Sequence, residues 1–346
     1  MKGRGIPGNP RNRFDSLYVV PDSDQAPDAE SRTVTYADSS QSILSYNDSP
    51  DVGFDVSLNP YRGCEHGCSY CYARPMHEYL GFSAGLDFET RIVVKSDAPA
   101  LLRAALSSPK WQPQPVALSG ATDPYQPLER KLTLTRKCLE VFAEFRNPVI
   151  VVTKNHLVTR DLDVLRRLAE VECVSVNLSI NSLDTELSRK LEPRTSTPES
   201  RLKAIAELSR AGIPCGVFVA PVIPGLTDHE VPHVLEASAR AGASHATYIM
   251  LRLPHGVAHL FEGWLETHLP DRRDKVLHRI ESVRNGRRND PRFGSRMRGS
   301  GPFARQVDSL FRIWAKKYGL STRGPALSTD YFRRATKEQT DLFESG

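Results

Sequence analysis

The sequence predicts an α/β fold in which a parallel sheet is part-closed into a barrel. Three observations predict it. Short β-branched runs recur at PVALS (115–119), NPVIVVT (147–153), CVSVNLSI (173–180), PCGVFVA (214–220) and HATYIML (245–251). Amphipathic stretches such as RDLDVLRRLAE (160–170) and PESRLKAIAELSRAG (198–212) lie between them. The tripeptide Arg210-Ala211-Gly212 also returns as Arg240-Ala241-Gly242, 30 residues later, each copy leading into a strand. Strand–helix alternation at this spacing builds βαβ units. In a barrel of that kind the C-terminal ends of the strands carry the chemistry. An open doubly wound sheet is the alternative, but no GxGxxG follows a strand to support a dinucleotide site.

Taken in order, residues 1–50 are rich in Gly, Pro, Asp and Ser and read as a leader, flexible or draped over the main domain. Residues 51–255 form the expected core, opening with the strand GFDVSLN (53–59). Within it, the helix at 198–212 is punctuated by Ser196 or Thr197 as cap, Pro198 in the first turn and Gly212 at the end. Residues 256–346 form a basic helical extension. Its stretches LPHGVAHLFEGWLETHLP and DSLFRIWAKKYGL flank the Arg/Gly segment NGRRNDPRFGSRMRGSGP. Trp264, Phe311 and Trp314 sit at amphipathic spacing and are expected in the core.

Composition narrows the function classes. The 346 residues are 39% apolar and 25% charged, and no apolar run approaches the roughly 18 residues of a membrane span. The N-terminus MKGRGIPGNPRNRF has no apolar signal region, so a cytoplasmic location is expected. Six cysteines in a chain of this length do not form a disulfide framework. In a reducing compartment, clustered thiols favour metal or catalysis.

The net charge of +5 is unevenly spread: residues 271–338 hold 18 Lys and Arg against 7 Asp and Glu. That is a balance of +11, leaving −6 for the rest. Arg284, Arg287, Arg288, Arg292, Arg296, Arg298 and Arg305 face one acid within their stretch, Asp290. Such a segment fits DNA, RNA or another phosphate-rich partner, or else a solvated helical face.

The chemistry centres on NPYRGCEHGCSYCYARP (59–75), where Cys64, Cys68 and Cys71 follow the first strand. A structural zinc site needs a fourth ligand, for which His66 or His77 is within local reach. Three thiolates otherwise suit a 4Fe–4S cluster with one iron open to an external ligand.

Cys-x3-Cys-x2-Cys with Tyr70 directly before the third cysteine resembles the signature of the radical S-adenosylmethionine (SAM) superfamily. The resemblance covers residues 55–255 and implies a partial (β/α)6 barrel. It also implies an open iron that binds the SAM amino and carboxylate groups, and an electron that splits the sulfonium into methionine and a 5′-deoxyadenosyl radical. A reductase or a flavodoxin- or ferredoxin-type protein would donate that electron. By the same resemblance, Thr122 and Asp123 in Ser119-Gly120-Ala121-Thr122-Asp123 would meet the SAM ammonium, and Lys154 its carboxylate. Asn177, Ser179 and Asn181 alternate onto one face of a strand and would line the SAM pocket. Arg194 would grip a carboxylate in a bidentate contact. Pro221 to Gly225 resembles the family's adenine turn.

TDPYQPLE, VTKN and the Cys-x-Tyr-Cys-Tyr pattern look most like the spore photoproduct lyase branch. There Tyr70 and Tyr72 would stand beside the cluster, one near SAM and one relaying a hydrogen atom. The lyase's hydrogen-donating cysteine has no counterpart in the 119–122 turn, and Cys138 belongs to a helix core. The expectation is therefore radical SAM chemistry on a nucleic-acid substrate. The alternatives are a peptide or small-molecule substrate, or a non-catalytic iron–sulfur protein that binds nucleic acid or senses redox state.

Overall fold

A computed structural model describes residues 3–15 and 32–334. In chain order the strands are β1 (Val34–Ala37), β2 (Leu44–Tyr46), β3 (Val56–Leu58), β4 (Tyr61–Arg62), β5 (Arg91–Val94), β6 (Val116–Leu118), β7 (Val149–Thr153), β8 (Val174–Ser179), β9 (Cys215–Val222) and β10 (His245–Met250). Six of them, β3, β6, β7, β8, β9 and β10, pair in parallel in that order, and β2 adds an antiparallel strand outside β3. This is a part-closed (β/α)6 barrel, as the recurring β-branched runs predicted. All six residues of β8 are buried, because a parallel strand has helices on one face and barrel interior on the other.

The connecting helices end as their sequences dictate. Thr197 caps Pro198–Arg210 by accepting from Ser200 N, and Gly212 turns left-handed at φ +73°. Gly242 does the same at φ +102°, and a Cβ there would stand 2.4 Å from Ser209 Oγ. The expected helix at 160–170 begins instead as a 3-10 turn, His156–Asp161, because the Asn155 side chain accepts from Leu157 N and tightens the entry. The α-helix proper is Leu162–Ala169.

A second sheet, ordered β1-β5-β4, was not legible in the sequence. Its strands are short, and β1 lies within the polar leader. The described leader is draped over the core: Gly5 N and Ile6 N donate to Glu89, and Leu86 N donates to Gly8 O. Residues 16–31 of the expected leader and 335–346 of the extension lie outside the described residues. Trp264 and Phe311 are buried and Trp314 packs at the core margin, as expected. No helix among the described residues is long and apolar enough to cross a membrane.

Candidate active site

The cysteine loop leaves the top of β3 and is held from several sides. Gly63, at φ +81°, sits where a Cβ would press on His77, Ile92 and Phe88 O at 3.0 Å. Cys64 N donates to Phe88 O at 2.8 Å and Cys71 N to Cys68 O at 3.2 Å. Arg74, fully buried, donates twice to Cys68 O at 3.0 and 2.9 Å and pairs with Glu89 at 2.5 Å. Gln126 accepts from Glu65 N and donates to Gly63 O. The loop is thus fixed by a buried ion pair and by backbone carbonyls rather than by the thiols themselves.

Cys64, Cys68 and Cys71 line a cavity of about 270 Å³ at the C-terminal ends of the parallel strands. Burial pushes the Cys64 and Cys68 thiols up, so a thiolate here requires a positive partner such as a metal. Among the described residues, no three metal-ligating side chains converge on a point where one ion could sit. A cubane cluster takes one thiolate per iron, and three thiols lining one cavity fit that donor set.

Several expected site residues meet at this cavity. Tyr70, Tyr72, Thr122, Asp123, Lys154 and Ser179 all line it. Tyr70 donates its phenol proton to Glu192, and Tyr72 donates to Gly120 O. Lys154 Nζ lies 3.1 Å from Ala220 O and 3.1 Å from Glu192 Oε1, with the Tyr70 ring centroid at 5.8 Å. Thr122 Oγ1 is 3.4 Å from Tyr61 O.

Asp123 is more committed than expected. Its carboxylate accepts from Tyr125 N, from the Thr153 hydroxyl at 2.6 Å and from Lys154 N at 2.7 Å, with His66 Nδ1 at 3.4 Å. Burial would raise its pKa, but His66 and these donors outweigh burial and lower it. The carboxylate therefore stitches the 119–123 turn to the end of β7.

Three expectations are corrected. Asn181 does not line the cavity but sits behind its wall, where Nδ2 lies 3.5 Å from the Tyr70 hydroxyl. Asn177 does not line the cavity. It lies two residues below the end of β8, where Oδ1 meets His245 Nε2 at 2.8 Å and Nδ2 donates to Val151 O. Alternation gave its face correctly but not its depth. Arg194 does not reach the cavity either: it makes one contact to Glu65 Oε1 at 3.2 Å, and its amide donates to His66 O. Glu65 is buried in the cysteine loop and takes that cation.

The arginine-rich segment spends most of its charge internally. Arg284 is fully buried, donates to the carbonyls of Met250, Leu251, Ser295 and Arg296, and is lowered by burial to about 10. Arg288 pairs with Glu281 and Glu262, Arg292 with Asp290, and Arg296 with Asp51. Arg298 donates to Tyr248 O and lies over the Tyr248 ring. Arg287 and Arg305 are exposed.

Glu192, Arg201, Arg74 and Arg252 were missed as site residues. Only Arg252 carried a usable signal, its place just past the end of a barrel strand.

The family description "Radical SAM superfamily" matches residues 58–237, just over half of the chain. The chain belongs to the radical SAM superfamily.

Several proteins resemble the chain. An uncharacterized protein of Mycobacterium tuberculosis (strain ATCC 25618 / H37Rv) is 40% identical over 220 residues, covering 63% of this chain and 65% of its own. This radical SAM chain thus matches about two thirds of that relative's length, just short of it. The "Radical SAM Nalpha-GlyT isomerase" of Pseudomonas phage M6 is 25% identical over 272 residues, 77% of this chain and 52% of its own. Among solved structures, a variant of spore photoproduct lyase superposes with a TM-score of 0.61 at 20% identity, covering 84% of this chain and 81% of that one. That likeness is one of fold. A further variant of the lyase, holding AdoMet and a dinucleoside spore photoproduct, gives 0.59 at 20% identity over the same shares.

Proposed function

We propose that this radical SAM protein is an enzyme that cleaves SAM reductively and acts on a nucleic-acid substrate. The observation that carries the first part is the placement of three buried-loop thiols on one cavity at the strand ends. In this reading Cys64, Cys68 and Cys71 hold a 4Fe–4S cluster, which when reduced supplies one electron to the bound sulfonium. The chain's own residues do the rest. Arg74 and Glu89 keep the loop rigid. Lys154 and Thr122 present a cation and a hydroxyl to the SAM carboxylate and ammonium. Ser179 offers a hydroxyl to the same ligand, and Asp123 holds the turn in register. Tyr70 is held in place by Glu192, and Tyr72 stands at the exposed side, suited to relay a hydrogen atom outward. Apolar walls exclude water from a radical step.

The test is anaerobic reconstitution. The protein should bind about four irons per chain and release 5′-deoxyadenosine from SAM under dithionite. Replacing the three cysteines with alanine should abolish both. A protein that holds one zinc and leaves SAM intact would sink the proposal. A one-electron protein donor and a cytoplasmic, reducing location belong to the same reading.

The nucleic-acid part is supported by the lyase-like TDPYQPLE and VTKN stretches and by the tyrosine pair. A peptide or small-molecule substrate is the second reading, favoured by the internal pairing of Arg284, Arg288, Arg292 and Arg296. Deuterium transfer from a candidate substrate into 5′-deoxyadenosine separates the two.

A further inference from the structure

Arg252 follows β10 and reaches into the cavity. Arg284, Arg288, Arg292, Arg296 and Arg298 of the arginine-rich segment are matched by carboxylates or carbonyls, but Arg252 is not. Among the described residues its contacts are Met297 Sδ, at 3.5 Å from Nη1, and the Tyr72 ring, whose centroid lies 5.2 Å from the guanidinium. A thioether is a weak acceptor, so a fork of five N–H donors is left largely unmet. Asp51, the carboxylate that acts on it, accepts from Gly294 N at Oδ1 (2.7 Å) and from Arg296 Nε at Oδ2 (2.6 Å). Arg252 and Arg296 therefore share one carboxylate, and one positive charge at the mouth is unbalanced.

We propose that Arg252 is a substrate-positioning residue that receives a phosphodiester oxygen of the substrate strand, with its guanidinium lying on Tyr72. The proposal rests on the nucleic-acid reading above and names the residue that carries it. A guanidinium fork matches a phosphate in a bidentate contact. Stacking on an aromatic ring orients the planar fork while leaving its edge free. Each nucleotide brings one negative charge and one planar base. The cavity offers one unbalanced cation beside two aromatic side chains, Tyr72 and Phe54. Burial lowers the Arg252 pKa, as expected of a cation set in apolar walls, and a phosphate would offset that burial.

The experiment is equilibrium binding of a labelled single-stranded oligonucleotide to the full-length, cluster-loaded protein across a salt series. Arg252→Met should weaken binding by about tenfold or more, the loss expected of one charge-assisted contact. It should also lower the slope of log K against log salt by about 0.7, the share of one phosphate on a single strand. Arg252→Lys should keep most of the slope while losing part of the affinity. If Arg252→Met does not fold by circular dichroism, Arg252→Gln carries the same measurement. Wild-type binding that is salt-dependent but unchanged in affinity and slope by the substitution overturns the Arg252 proposal alone. Absence of salt-dependent oligonucleotide binding by the wild type, with SAM still cleaved, overturns the nucleic-acid reading and the proposal together. Loss of SAM binding in Arg252→Met at unchanged oligonucleotide affinity would assign the cation to the SAM carboxylate and also overturn it.

Discussion

At the scale of single residues, Glu192 gathers Tyr70, Lys154 and Arg201 onto one buried carboxylate. Burial by itself raises its pKa, but Arg201 and then Lys154 outweigh burial and hold it near about 2, against 4.5 for an ordinary glutamate. The folded value lies below the unfolded one. This pair's stabilisation is therefore present above about pH 4.5 and is lost as pH falls toward 2, on the order of 3 kcal/mol in all. Glu192→Gln should flatten that part of the pH profile in urea titrations. At pH 7 it should cost about 3–5 kcal/mol, because Arg201 is left buried without a counter-ion. An unchanged acid profile would refute this account. His77 is held near about 4 by burial, against an ordinary 6.5, so it stays neutral in the folded protein. Its contribution is lost as pH falls from about 6.5 to 4, and NMR should find its ring titrating in the lower part of that window. The thiols and tyrosines were legible because their spacing is local. Glu192 was not, since its partners lie 122 residues before it at Tyr70 and nine after it at Arg201.

At the scale of elements, the strand rhythm and the ends of the 198–212 helix were legible because each depends on a few neighbouring residues. The start of the 160–170 helix was not, because the Asn155 side chain turns the entry into a 3-10 segment. Thr197→Ala should cost about 1 kcal/mol in chemical denaturation, the worth of one N-cap, while leaving iron content alone. The floor of the barrel was harder to read. A Cβ on Gly216 would stand 2.3 Å from His245 Nε2, and His245 itself bonds Asn177 across the sheet. Gly216→Ala should therefore destabilise by about 1–3 kcal/mol. Adding His245→Ala should recover part of that loss, a coupling that a double-mutant cycle reads directly. Strictly additive costs would show that the two side chains do not compete for the same space. Asn177 was misplaced for a related reason: alternation tells which face a residue occupies, but depth along the strand depends on where its neighbours end.

At the scale of the whole molecule, both ends of the described chain are used as clamps. Residues 4–8 press on the cysteine loop, where a Cβ at Gly5 would fall 1.6 Å from Gly67 O. The last described stretch crosses the far side: Ser328 N donates to Glu172 O, Arg333 N to Phe145 O and Arg334 to Trp111 O. Truncation after Leu320 should lower the melting temperature by about 2–4 °C per kcal/mol lost, with the helices around Phe145 exchanging amide protons faster. Removing residues 1–15 should instead raise exchange within 63–68; unchanged protection there would show that the N-terminal clamp is idle. By itself the sequence determined the strand–helix rhythm and the thiol trio, because period and spacing are local properties of a chain. The tertiary structure alone decided which charges serve the cavity. Arg194 and Arg284 were absorbed by partners from other elements, Arg296 was claimed by Asp51 from 245 residues away, and Arg252 was left facing the void. A charge acquires its role from whatever folding brings beside it, and that neighbour is not written next to it in the chain.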